Sequence, residues 1–336
     1  MTTTRRTKFL IVTPSYNAPE FLNETIESVV SQTGNFDIHY HIQDGGSKEP
    51  TTSIIRAWDE RLRDGFAGSG QDGRIRFSWR AEPDRSMYDA IQKGFDALLT
   101  SVPVGEREQT LMTWINSDDR FTPNAFRTAA QFLVDNPEEC WVTGLPCTMR
   151  EDGCIADTRL EDCGYARLWL ARGEYDGRRL PPVMQEGTFW TVGLWEQVGG
   201  LNVDLRLAGD WDLWRRMARF ARLINLRAVL AYHRRRPGQL SGEMTHYWAE
   251  VDDVMARADP AAAPVVSAAD RMAMEGAWMA AWRANVDKWV LSPMRSRGRG
   301  GFLHCLSDCL VESWSHYSWG RALIKFYRRM RGVEVE

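Results

Sequence analysis

Between Lys8 and Val142 short apolar runs alternate with amphipathic ones, and no other feature limits the fold of this chain so sharply. Brief apolar runs between polar breaks read as strands buried on both faces, and helical-period segments between them read as crossovers. The pattern predicts an α/β domain with a mainly parallel central sheet. "KFLIVTPSY" is expected as the first strand, and "PEFLNETIESVVSQ" as a helix with Leu22, Ile26, Val29 and Val30 on one face. "IHYHIQ" and "RIRFSWRA" are expected strands, "MYDAIQKGFDALL" a helix, "LMTWI" a strand, "PNAFRTAAQFLVDNP" a helix and "CWVTGL" another strand. After Arg150 the rhythm loosens; a helix is expected over "DWDLWRRMARFARL" and a single strand over "INLRAVLAYH". An Ala/Pro boundary near Pro260 precedes Trp-rich helices and the linker "RSRGRGG", so the chain divides into a domain over 1–245 and a helical region over 246–336.

In open sheets of this kind ligands sit beyond the carboxyl ends of the strands, which is where Asn17, Asp44 and Asp118 fall. Asp118 and its neighbour Asp119 follow a buried run, Leu111 to Ile115, and adjacent carboxylates there need water, a cation or strong donors to stay ionised. Two readings stand side by side: a solvated turn that caps the next helix, or a site for a hard cation such as Mg²⁺ or Mn²⁺. Neither GxGxxG nor GxxxxGK[ST] follows a strand, so bound phosphates would be held by a metal and scattered side chains. His39 and His41 share one face of the second strand; with no third ligand in view, a partly exposed strand face is the simpler reading.

A net charge of -3 gives no whole-chain sign of a nucleic-acid partner. No run reaches the roughly 20 apolar residues of a bilayer span, and the N-terminal apolar stretch, broken by Pro14, is too brief for a signal peptide, so a cytoplasmic protein is expected. The six cysteines lack CxxC pairs and read as reduced, small apolar residues.

"TPSYN", "DGGS", "EPDRSMYDAIQKG", "INSDD", "QEGTFW", "LWEQVGGLN" and "AGDWDLWRRM", in that order from Lys8 to Gly242, resemble the motif series of family 2 glycosyltransferases, most closely the bacterial polysaccharide and surface-glycan branch. The resemblance implies a GT-A fold and a metal-assisted, inverting transfer of a sugar from a nucleoside diphosphate donor to an acceptor hydroxyl. It implies that Pro14, Tyr16 and Asn17 line a nucleoside pocket and that Asp44 holds the base or ribose. Arg85, Tyr88, Asp89 and Lys93 would lie against the nucleotide and sugar phosphate. Asn116 and Ser117 would also touch the donor, and Asp118, the last acid of the family's DxD motif, would bind Mn²⁺ or Mg²⁺, with Asp119 and His233 as further candidate ligands. Asp210 would be the general base. Trp190 is expected beside the donor or acceptor sugar, with Gln185 and Glu186 next to it.

The chain departs from that pattern at three places. Asn116 replaces the first acid of DxD, Gly209 replaces the acid common before the catalytic Asp, and Arg236 stands where relatives often carry a His. These departures keep open a catalytically silent glycan-binding scaffold, and a sugar-nucleotide nucleotidyltransferase is the other enzymatic alternative. The basic, aromatic segment from Met294 to Gly332 reads either as a membrane-surface helix, which would suit a lipid-linked glycan acceptor at the inner face of the membrane, or as a helix packed on the catalytic domain.

Overall fold

A computed structural model describes residues 6–64, 74–158, 164–178, 180–237, 239 and 242–258. Its main sheet runs β10-β6-β9-β4-β1-β2-β3. β1 (Thr7–Ser15) lies parallel to β2 (Phe36–Asp44) and to β4 (Thr110–Trp114), and β3 (Ile75–Ala81) is parallel to β2. β9 (Thr188–Thr191) is the antiparallel member, inserted between β4 and β6 (Trp141–Thr143), while β10 (Ile224–Asn225) closes the edge parallel to β6. The α/β class with a mainly parallel sheet is therefore what the structure has.

The alternation of side chains along β1 divides the core. Phe9 and Ile11 join the cluster with Leu22, Ile26 and Phe126 of helices α1 (Pro19–Val30) and α4 (Ala125–Asp135). Leu10 and Val12 join the opposite cluster with Ile91 and Phe95 of α3 (Met87–Leu99). Period-two geometry sends successive residues of a strand to opposite faces, and a strand covered on both sides needs the continuous apolar run that "FLIV" provides.

Helix α2 (Thr51–Arg63) was not anticipated, although Ile54, Ile55, Trp58 and Leu62 have helical spacing; it covers β2 and β3 on the α1 side. α5 (Arg167–Ala171) and α6 (Val192–Val198) complete the α3 side, α6 being capped by the Thr191 hydroxyl, which accepts from the Leu194 N–H. The strand expected over "INLRAVLAYH" is instead two: β10 stays in the main sheet, and β11 (Ala231–Arg234) enters a small second sheet of order β5-β11-β7-β8, with β5 (Arg120–Phe121), β7 (Cys147–Met149) and β8 (Ile155–Thr158). Polar Asn225 and Arg227 interrupt the apolar run, and the chain turns there, with Leu145 N–H donating to the Ala228 carbonyl.

β1 has neighbours leading to β2 on one side and β4 on the other, so the loops after β1 and β4 diverge and leave a crevice between them. β11 brings His233 to the rim, and α7 (Gly209–Met217) brings Asp210 from the α3 side. α8 (Met244–Arg257) crosses the boundary placed at 245 and packs Val251 against Ala208 and Trp211. The basic aromatic segment, with the rest of the helical region after residue 258, lies outside the described residues.

Candidate active site

The crevice is a cleft of about 510 Å³. Pro14, Ser15 and Tyr16 line it from the end of β1, and Asn116, Ser117 and Asp118 from the end of β4. Gln185 and Glu186 enter from the turn before β9, Tyr88 from α3, Asp210 from α7 and His233 from β11. Ten expected site residues thus meet in one place.

Asp210 stands in the first turn of α7, where the Trp211 N–H donates to Oδ1 at 2.8 Å. The Tyr88 hydroxyl lies 3.0 Å from the same oxygen and 3.1 Å from the Leu207 carbonyl, so its single proton is shared between them. Burial raises the Asp210 carboxyl to about 6, against the opposing pull of these two donors. Gly209 has a steric reason: a Cβ there would lie 2.6 Å from the Tyr88 ring, so the small residue permits the close approach of Tyr88 to Asp210. Asp212 faces away and is held by Arg215 and Arg216 at 2.9 and 2.8 Å.

The metal expectation is redistributed. Asp118 Oδ2 accepts from Arg236 Nε at 2.7 Å and from Gln239 Nε2 at 3.2 Å, so its carboxylate is already met by a guanidinium. Asp119, Glu186 and His233 instead bring one potential ligand atom each within 4.8 Å of one another. Asp119 is anchored by the Arg234 N–H at 2.7 Å and by the Asn116 amide at 3.2 Å. Burial, then the Glu186 charge, raises the Asp119 carboxyl. Burial alone would raise Glu186 and suppress the His233 imidazolium, but their mutual contact at 3.4 Å overrides it, lowering Glu186 and raising His233.

Two carboxylate oxygens with one imidazole nitrogen suit a divalent cation such as Mn²⁺. Asn116 Oδ1 is a buried polar atom here without a hydrogen-bond partner and is chemically ready to ligate, whereas His233 Nδ1, which faces Asp119 and Glu186 at 3.5 and 3.4 Å, would give up its proton to a bound cation. The residues present therefore fit a divalent ion, with Glu186 joining the expected candidates Asp119 and His233.

Other expected residues do not reach the cleft. Asp44 is fully buried, and its oxygens accept from the Gly46 and Ser47 N–H groups and the Ser47 hydroxyl, closing the "DGGS" turn. Asn17 Oδ1 accepts from the Lys48 N–H, tying the loop after β1 to that turn. Arg85 and Lys93 pair with Asp89 at 3.4 and 3.2 Å behind the Asp84–Tyr88 segment. Asp84 itself lines the cleft, and the sequence reading missed it; its place between Pro83 and the α3 cap Ser86 was the available signal. Arg206, Met244 and Tyr247 were also missed, because α7 and α8 pack side by side only in the folded chain.

Trp190 is corrected outright. It is fully buried, with ring centroids 5.4 Å from both Trp114 and Trp214, 6.1 Å from Trp195 and 6.2 Å from Phe95. β9 lies between two strands, so its side chains enter the core layers and cannot present a sugar platform. Trp190→Ala should lower stability by about 3–5 kcal/mol, the usual cost of removing a core tryptophan, read as a lower urea midpoint. Unchanged stability with weakened sugar binding would restore the original reading. His39 and His41 are likewise buried instead of partly exposed, and His41 is bonded to Ser78 and Gln43 at 2.8 and 3.2 Å.

Comparison with known proteins finds the same fold and a matching sequence family. The model of glycosyl transferase family 2 matches residues 10–171. The uncharacterized glycosyltransferases MT1564 and Rv1514c of Mycobacterium tuberculosis are each 24% identical over 223 residues, 66% of this chain and 72% of theirs. The mannosyltransferase PcManGT from Pyrobaculum calidifontis, in complex with GDP-Man and Mn²⁺, superposes with a TM-score of 0.55 at 16% identity, over 98% of this chain and 86% of that one. S. aureus TarS 1-349 in complex with UDP-GlcNAc gives 0.50 at 13% identity, over 90% and 81%. Just under half of the chain thus resembles glycosyl transferase family 2, and its fold is the mainly parallel α/β fold of these glycosyltransferases.

Proposed function

We propose that this protein is a family 2, inverting glycosyltransferase that moves a sugar from a nucleoside diphosphate donor to an acceptor hydroxyl, with Asp210 as general base. The observation that carries the reading is the Asp210 carboxylate, turned into the cleft by two donors and raised to about 6. A base of that strength is largely ionised at neutral pH yet still competent to take the proton of an attacking hydroxyl. Fold neighbours that bind UDP-GlcNAc and GDP-Man with Mn²⁺ support a donor of this class.

Asp119, Glu186 and His233 would hold a divalent cation, Mn²⁺ or Mg²⁺. When bound, it would supply positive charge to the diphosphate leaving group. The cleft's own balance favours that need: Asp84, Asp118, Glu186 and Asp210 outnumber Arg206, Arg236 and His233, and a diphosphate is itself an anion. Tyr16 and Asp84 would face the nucleoside, and Arg206 and Tyr247, on the Asp210 side, the acceptor.

A role in cell-surface glycan synthesis, with a lipid-linked acceptor at the inner face of the membrane, follows from the motif resemblance and belongs to the same proposal. Among the described residues no helix is long and apolar enough to cross a membrane. Truncation after Pro293 should weaken binding to anionic liposomes in a salt-dependent way if the tail is interfacial; equal partitioning would leave packing as its role.

The silent-scaffold reading is favoured by one feature, the Arg236 guanidinium on Asp118. Release of UDP or GDP from UDP-GlcNAc and GDP-mannose, measured with and without Mn²⁺, separates the two. The proposal expects metal-dependent release from at least one donor, and a scaffold none above background. The rate should fall about tenfold per pH unit below pH 6, because the base is lost as Asp210 takes up its proton. A rate still flat at pH 4.5 would remove Asp210 from the role.

A further inference from the structure

Glu250 of α8 holds a position unlike that of any other acid on the helix. Its Oε1 accepts from the Arg206 N–H at 2.9 Å, and its Oε2 accepts from the Leu207 and Ala208 N–H groups, each at 2.9 Å. These three donors lead directly into α7, whose first residues are Gly209 and Asp210. A carboxylate beside the free N–H groups at a helix start is stabilised by charge-assisted bonds and by the helix dipole.

The same segment is gripped from its other side. The Tyr88 hydroxyl bridges the Leu207 carbonyl and Asp210 Oδ1, and the Asp212 N–H reaches back to the Ala208 carbonyl at 3.0 Å. α8 itself is seated by Val251 against Ala208 and Trp211, by Trp248 donating to the Asp176 carbonyl at 3.2 Å, and by Asp252 on Arg178 at 2.6 Å. Asp253, by contrast, pairs with Arg257 on the exposed face.

We infer that Glu250 is a positioning residue for the reaction: it fixes the 206–210 segment so that Asp210 meets the acceptor hydroxyl in reactive geometry. The inference rests on Asp210 being the base. Small misplacement of a base costs rate without weakening donor binding, because the lost interaction is made only in the transition state. Glu250 touches neither donor nor reacting atoms, and its effect passes through the backbone N–H groups it holds.

The test uses the full chain and the nucleotide sugar it turns over, reading kcat, donor KM and the Mn²⁺-dependent binding of the corresponding nucleoside diphosphate. Glu250→Ala should lower kcat at least tenfold with donor KM within about twofold of wild type. Glu250→Gln, which keeps the shape and one acceptor oxygen, should fall between, and Asp253→Asn on the same helix should be unaffected. In the double variant with Asp210→Asn, Glu250→Gln should add no further loss, since residues acting through one group are not additive. A Glu250→Gln enzyme with wild-type kcat, or one whose loss adds in full to that of Asp210→Asn, overturns the inference. If Glu250→Ala does not fold, the Gln variant and its double carry the same decision. Full activity of Asp210→Asn alone would overturn the underlying reading instead.

Discussion

Asp210→Asn should reduce transfer by roughly 10²-fold or more while donor binding stays near that of wild type. The amide keeps the carboxylate's shape, and its oxygen still accepts from the Tyr88 hydroxyl and the Trp211 N–H, the two bonds that orient Asp210. What it loses is the capacity to take a proton. Asp212→Asn should instead act on stability, because Asp212 is paired with Arg215 and Arg216 away from the cleft. The same substitution carries a thermodynamic signature. The folded protein holds the Asp210 proton more tightly than the unfolded chain does, so between the ordinary Asp value of 3.8 and about 6 stability falls as pH rises, and above that the penalty is complete. Asp210→Asn should therefore melt higher than wild type at pH 8, with the difference closing below about pH 4. Equal melting at pH 8 and pH 4, with full activity, would mean that Asp210 is neither strained by burial nor the base.

The second large effect concerns the cation. Glu186→Gln and His233→Ala should each weaken Mn²⁺ binding at least tenfold, a scale at which even the outer partners of metal ligands are felt, and should remove the Mn²⁺ dependence of nucleoside diphosphate binding. Titration calorimetry with Mn²⁺ alone reads this without turnover. Asp118→Ala should have the smaller effect, since its carboxylate is engaged by Arg236 and Gln239, and it would free both groups beside the diphosphate. If Asp118→Ala abolishes Mn²⁺ binding and Glu186→Gln leaves it intact, the ion belongs on Asp118.

The main sheet was legible because fully buried parallel strands leave continuous apolar runs, as in "KFLIV" and "LMTWI", and each was followed by an amphipathic helix. The cleft was legible to the same degree, since strand ends are loci that periodicity alone can mark: Tyr16, Asn116 and Asp118 all line it. Trp190 was misread because a tryptophan beside polar Gln185 and Glu186 looks like a platform until β9 is seen wedged between β4 and β6. Asp44 was misread because its role is local, and a carboxylate that closes its own turn looks, in sequence, like one that awaits a ligand. The grouping of Glu186 with Asp119 and His233 could not be read at all. It depends on β11 leaving the main sheet, which sets His233 beside Asp119 and sends Arg236 to Asp118. Glu250 was silent for the same reason, because nothing in α8 signals that three backbone N–H groups from before α7 will converge on it.

As the proposed base, Asp210 would direct attack on the face of the sugar opposite the leaving diphosphate. Proton NMR of the first product formed from an α-linked nucleotide sugar, recorded before mutarotation, tests it most directly through the anomeric coupling. With Mn²⁺ present, the wild-type protein should release the nucleoside diphosphate together with a β-configured product, and Asp210→Asn should give neither. An α-configured product, or the same β product at the same rate from Asp210→Asn, would contradict the account.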